Sequence, residues 1–185
     1  MIKEIIIRDF FSFKGEHKIV LNPNINVLLG INGSGKTSFL NAFKLLYEGV
    51  SGIGFEALFQ GQWGGFHQVA NVNSGESSGI ELTYVFDQIL NTSSPFDKND
   101  VYYSIYIEPS GTSYTLREHL YTINSGKTEK FTYLDFKNGN GKLWVGNSSG
   151  SINFEDYKDG DISGQELVLR QITDPIRYPL THTIR

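Results

Sequence analysis

The stretch Ile25-Asn26-Val27-Leu28-Leu29-Gly30-Ile31-Asn32-Gly33-Ser34-Gly35-Lys36-Thr37 decides how this chain is read. Its last eight residues, Gly30 to Thr37, satisfy G-x-x-x-x-G-K-[ST], the pattern of a phosphate-binding loop. Each residue type in it has a physical task. Gly30, Gly33 and Gly35 let the backbone take positive φ and come close to a ligand. Successive N–H groups of Asn32, Gly33, Ser34, Gly35, Lys36, Thr37 and Ser38 then converge as an anion-binding nest. Lys36 is the residue that reaches the β- and γ-phosphates, and the Thr37 hydroxyl is the Mg²⁺ ligand. Context supports the motif: Ile25–Leu29 reads as a buried strand entering the loop, and Ser38–Tyr47 reads as a helix leaving it. Apolar residues at 39, 40, 42, 43, 45 and 46 cover most of that helix, which predicts burial against a sheet.

Outward from the loop, Ile2–Phe10 alternates as a strand with Ile5 and Ile7 on one face, and Lys18–Leu21 reads as its antiparallel neighbour. Asn22-Pro23-Asn24 is turn chemistry. Gly49–Gly79 is rich in Gly, Ser, Asn and Gln and reads as a long loop with a short helix near Phe55–Phe59. Its aromatic residues, Phe55, Phe59, Trp63 and Phe66, argue against disorder. Strand-like runs follow at Ile80–Phe86, Tyr102–Ile107, Tyr114–Leu116, Phe131–Phe136 and Leu143–Val145. Asn138-Gly139-Asn140-Gly141 is a strong hairpin signal, and Ser110-Gly111-Thr112 marks a second turn. Arg117-Glu118-His119-Leu120 reads as a polar stop at the edge of this region. From Gly164 the chain reads as helical up to Asp174, with Pro175 and Pro179 as breakers. The expected fold class is therefore α/β: a P-loop core of strands, loop and helix over 1–48, the Gly-rich loop over 49–79, an antiparallel β lobe over 80–160, and a last segment over 161–185.

Composition narrows the function classes. The chain has 185 residues, no cysteine, 39% hydrophobic residues and a net charge of −4. Disulfides and cysteine-based metal sites are excluded. An acidic balance exerts no global pull toward nucleic acid, so DNA contact is an open option without support from charge. No apolar run is long enough to span a membrane, and the charged N-terminus is not a signal peptide, which is compatible with a cytoplasmic protein. His17, His67, His119 and His182 are too dispersed to propose a metal site.

A P-loop enzyme also needs an acidic residue at the end of a buried strand, and many ATPases place a catalytic Glu directly after it. No run of four apolar residues followed by two acids occurs. The nearest match is Leu82-Thr83-Tyr84-Val85-Phe86-Asp87, but the next residue, Gln88, cannot act as a base. Glu108 and Asp135 also follow strand-like runs and read as surface carboxylates.

The opening IKEIIIRDFFSFKGEHKIVLNPNINVLLGINGSGKTSFLNAFKLL resembles the N-terminal lobe of ABC-type ATPases of the RecF, SMC and OLD kind. Phe10, Ser12 and Phe13 match the F-x-S-F/H element of those families, and Asn32 matches the Asn inside their loop. The tail SGQELVLRQITDPIRYPL resembles the segment leading into their helical lid. The family commonly carries Arg after the first Phe, near the phosphates; here that position is Phe11, so either Lys14 substitutes or the contact is absent. Phe11 or Phe13 stacking on adenine is a further option, against plain core packing.

The resemblance implies ATP and Mg²⁺ as cofactors, with Lys36 as the catalytic cation. It also implies a Q-loop glutamine that senses Mg²⁺, for which Gln171 is the choice and Gln165 the alternative. It implies a signature motif, a Walker B acid with a catalytic Glu, and a switch His, all supplied by a C-terminal half of the head outside residues 1–185, and a head-to-head homodimer that sandwiches ATP. On this reading the chain is part of an ATPase and is inactive alone. The competing readings are a non-enzymatic interaction module with a structural P-loop, and the nucleotide-binding domain of a transporter.

Overall fold

The structure is a computed structural model that describes residues 1–75, 79–87, 99–123, 130–145, 153–175 and 177–184. Among these residues eight strands form one antiparallel sheet: β1 (Ile2–Arg8), β2 (Glu16–Val20), β3 (Ile80–Phe86), β4 (Val101–Ser110), β5 (Ser113–Ile123), β6 (Lys130–Lys137), β7 (Asn140–Val145) and β8 (Asn153–Tyr157). Their order across the sheet is β2-β1-β3-β4-β5-β6-β7-β8. The strands next to the P-loop and those of the expected β lobe are thus one continuous surface. β1 joins them by pairing with β2 on one edge and β3 on the other.

Turn chemistry sets the registers. Lys137 faces Asn140, which leaves Asn138 and Gly139 as a two-residue hairpin loop, and both take positive φ, 50° and 78°. That is the backbone twist a tight hairpin needs, and Asn-Gly is the pair that tolerates it. Ser110 faces Ser113 across a second two-residue loop, Gly111-Thr112, in which Gly111 alone takes positive φ, 60°.

Helix α1 (Lys36–Val50) lies on one face of the sheet. Phe39, Ala42 and Leu45 are buried, and the Tyr84 hydroxyl of β3 donates to the Ala42 carbonyl at 2.6 Å. The helix is buried on this side only; Leu40 and Tyr47 are 57% and 66% exposed. The aromatic residues of 49–79 complete the core. Phe55 and Phe59 stack at 5.1 Å and both meet Tyr114 edge-on. Residues 49–75 are more ordered than a long loop. They hold a π-helical stretch (Ala57–Gln62), the short helix α2 (Phe66–Val69), and a β-bridge from Ala70 back to Phe10.

Three expectations are corrected here. Ile25–Leu29 is not a buried strand: Ile25, Val27 and Leu29 are 76%, 71% and 89% exposed, and no strand pairs with them among the described residues. A strand is buried by neighbours on its two edges and faces; here the described residues offer no pairing strand and only an open cleft beside Leu28 and Leu29. Second, Arg117–Leu120 is not a polar stop. It lies inside β5, where Arg117 and His119 sit on one face while Glu118 is fully buried on the other. Period-2 alternation, which a charged run hides, explains this. Third, the C-terminal segment is not a helix broken by proline. Only Val168–Gln171 (α3) is helical before Asp174, and Pro179 opens α4 (Pro179–Ile184). Proline suits a first helical position, where no N–H is required.

Candidate phosphate-binding site

Gly33 and Gly35 take φ of 83° and 90°, and Gly35 is the left-handed residue that opens α1. Alternation of this kind turns consecutive N–H groups to one side. The first bond of the helical ladder runs from the Phe39 N–H to the Gly35 carbonyl at 2.9 Å. The N–H groups of Lys36, Thr37 and Ser38 precede the ladder and are available to an anion, favoured there by the helix dipole. The Lys36 ammonium donates to the carbonyls of Gly30 at 2.6 Å and Ile31 at 2.7 Å and reaches Ser34 Oγ at 3.3 Å. It lies over the loop rather than out in solvent. A cavity of about 350 Å³ is lined by Ser12, Asn32, Gly33, Gly35, Lys36, Thr37 and Ser38. No carboxylate is in that lining, so nothing there repels a phosphate. The donors present fit a Mg²⁺-nucleotide: N–H groups and Lys36 for the phosphates, and the exposed Thr37 hydroxyl for the metal.

The other expected site residues fall in different places. Asp87 cannot serve this loop from where it stands. Its N–H donates to the Met1 carbonyl at 2.8 Å, at the start of β1. The turn carrying Ser12 follows the other end of that strand, roughly 20 Å away for seven residues. Antiparallel pairing of β3 with β1 reverses the strand and carries Asp87 to the wrong end. Gln88 lies outside the described residues. Asp135 ion-pairs with Arg117 at 3.3 Å, and Glu108 is exposed on β4.

Gln171 is committed elsewhere. Its side-chain oxygen accepts from the Ser163 N–H at 2.7 Å, and its amide donates to the carbonyls of Ser163 at 3.0 Å and Glu166 at 3.1 Å. Its segment packs against the C-terminal end of α1, where Arg170 donates to the Gly52 carbonyl at 2.9 Å. The loop is at the N-terminal end of the same helix, so Thr37, and not Gln171, stands at the cradle. Gln165 uses its carbonyl to accept from Tyr114 at 3.4 Å.

Phe11 is turned toward the 49–79 segment, with its ring edge-on to Trp63 at 5.3 Å and to Phe10 at 4.7 Å. Phe13 packs edge-on to His17 and lines an apolar cleft with Ile19, Leu28 and Phe39. Both rings are in packing contacts.

A family model for the AAA domain matches residues 4–174. The chain belongs to this family. An AAA domain is a P-loop nucleotide-binding ATPase domain, in accord with the loop geometry above. No curated protein matches the chain, and no solved structure does. Among the described residues no helix of this AAA domain is long and apolar enough to cross a membrane, and no cluster of His, Asp and Glu could hold a metal.

Two features of the AAA domain were not legible as site or anchor residues. Asn71, buried, holds the turn before β2 in place. Glu118, fully buried, accepts from the Tyr103 hydroxyl and from the Val168 N–H at 2.8 Å, and so ties β5 to the segment carrying α3. Burial pushes the Glu118 carboxyl up to about 7, against the downward pull of those hydrogen bonds. Neither residue has a sequence motif; only the folded chain brings their partners to them.

Proposed function

We propose that this chain binds ATP with Mg²⁺ at Gly30–Thr37, as the N-terminal part of a RecF/SMC/OLD-like ATPase head. The observation that carries the reading is the pair of left-handed glycines, Gly33 and Gly35, directly ahead of a 15-residue helix with Lys36 and Thr37 at its start. Asn32 to Ser38 hold the phosphates through backbone N–H groups, Lys36 supplies the counter-charge, and Thr37 offers its hydroxyl to the metal. When bound, Mg²⁺ neutralises phosphate charge and orients the γ-phosphate.

Hydrolysis needs an acid and a base that the cradle's lining does not contain. In this reading they come from the C-terminal half of the head, and the signature motif comes from a second head. Exposed apolar residues support that division: Ile25, Val27 and Leu29 leading into the loop, Ile31 within it, and Leu40 and Tyr47 along the outer face of α1. Isothermal titration with ATP and Mg²⁺ tests the binding. Wild type binds, Lys36→Ala weakens the affinity at least tenfold, and neither turns ATP over above background. Equal affinity in both, or none in wild type, would refute nucleotide binding; turnover abolished by Lys36→Ala would refute the division of the site.

A further inference from the structure

The cradle has one wall that the loop does not supply. Between β1 and β2 the chain makes a tight turn, Asp9 to Gly15, and Ser12 at its tip lines the same cavity as Asn32 to Ser38. The Ser12 hydroxyl donates to Ser38 Oγ at 2.8 Å, and it lies 3.1 Å from where a Cβ on Gly35 would stand. Lys14, two residues on, is not part of that lining.

The turn is held in an unfavourable backbone state. Asp9 and Phe11 take φ of 51° and 48°, although neither is glycine. Residues in this region are strained and persist only where the surroundings over-determine them. Here they do. The Phe11 N–H donates to the Val69 carbonyl at 2.6 Å, and the Asn71 side chain donates to the Phe11 carbonyl at 2.6 Å. The Asn71 N–H donates to the Asp9 carbonyl at 3.0 Å, the Gly15 N–H donates to the Asp9 carboxylate at 2.7 Å, and Ser74 donates to that carboxylate as well. Asn71 is buried. A strained turn clamped from a segment some sixty residues away, with a hydroxyl at its tip, is more than a connection between two strands.

We infer that Ser12 is a phosphate ligand of this site: its single hydroxyl proton, which Ser38 Oγ accepts here, turns to the nucleotide when it binds, from a turn that Asn71 clamps in place. This rests on the nucleotide-binding reading above. It also assigns the role left open by Phe11: the turn contributes a short neutral donor, and Lys14 contributes no contact.

The chain contains no cysteine, so a single introduced thiol can be followed without background. In the full chain, Ser12→Cys and Lys14→Cys are each alkylated with iodoacetamide, with and without ATP and Mg²⁺, and nucleotide affinity is measured for both and for Ser12→Ala and Lys36→Ala. The expected result is protection by at least fivefold at position 12 and none at position 14, with Ser12→Ala binding ATP three- to tenfold more weakly than wild type. A thiol at position 12 that is alkylated equally fast in a variant that still binds ATP overturns the proposal. If Ser12→Cys does not bind, Ser12→Ala decides: wild-type affinity overturns the proposal. Loss of binding in Lys36→Ala alone, with Ser12→Ala unaffected, removes Ser12 while leaving the nucleotide site standing; no binding in wild type removes both.

Discussion

Two apolar runs of this chain have opposite fates. Ile80–Phe86 and Ile25–Leu29 both read as strands from composition. The first lies between β1 and β4, hydrogen-bonded on both edges, with five of its residues buried in succession from Leu82 to Phe86. The second runs exposed along its length into the phosphate-binding loop. The difference teaches that an apolar run specifies a demand for neighbours and does not itself say where they are. In β3 the demand is met inside residues 1–185. At Ile25–Leu29 it is not met among the described residues, beside the loop where a nucleotide is proposed to bind.

The comparison can be broken most directly at its two centres. Leu82→Ala is expected to destabilise the fold by about 2–5 kcal/mol in urea unfolding, because it opens a cavity under α1. An effect below about 1 kcal/mol would show that β3 is not the packed strand described.

Next in size is a pH effect on β5, two strands away in the same sheet. Glu118 holds its proton in the folded state up to about pH 7, whereas an unburied glutamate releases it near 4.5. The folded state therefore binds more protons, and stability falls as pH rises from about 4.5 to about 7 and stays lower above that. The loss is up to roughly 3 kcal/mol. Glu118→Gln should remove this component, so the stability difference between variant and wild type should change across that window. Urea midpoints at pH 5 and pH 8 measure it, and parallel curves would show that the carboxyl does not titrate there.

Gly139→Ala should cost about 1–3 kcal/mol. Its φ is 78° and an added Cβ would stand 2.7 Å from the Ile162 carbonyl oxygen, so the strain cannot relax into open space. A neutral result by thermal unfolding would mean that the hairpin takes another turn. The smallest effect is expected at Leu29→Ala, within about 0.5 kcal/mol, since the side chain is already in water. A larger loss would show that Ile25–Leu29 is buried after all. Val27→Lys with Leu29→Lys should likewise leave the unfolding midpoint unchanged, since both side chains are exposed.

Much of this architecture is legible in the amino-acid sequence. The limits of β3, the two-residue turn at Asn138-Gly139, the antiparallel partner of β1 and the loop itself all follow from local rules: alternation, turn residues and glycine spacing. Other assignments fail for one reason, which is that they depend on where distant segments meet. Glu118 reads as part of a surface stop when charge is weighed without its place in the pleat. Asp87 reads as the nearest acid because linear order does not say which end of an antiparallel strand meets the loop. Gln171 reads as a metal ligand through resemblance, yet its amide is held by Ser163 and Glu166 at the far end of α1.

The sequence by itself determined the backbone of the Gly30–Thr37 loop, since glycine at 33 and 35 takes the positive φ that places lysine at 36 and threonine at 37 at the start of a helix. Membership of the AAA-domain family agrees with that. Only the tertiary structure decided what stands around the loop: Ser12 on one wall, Asn71 behind it, no carboxylate in the lining and an apolar approach left uncovered. The physical reason is range. A loop's conformation is set by steric and hydrogen-bonding terms between near neighbours in the chain. The walls of its cavity are set by contacts between residues 26 to 65 positions apart, such as Ser12 with Ser38 and Asp9 with Ser74. No local pattern records those contacts.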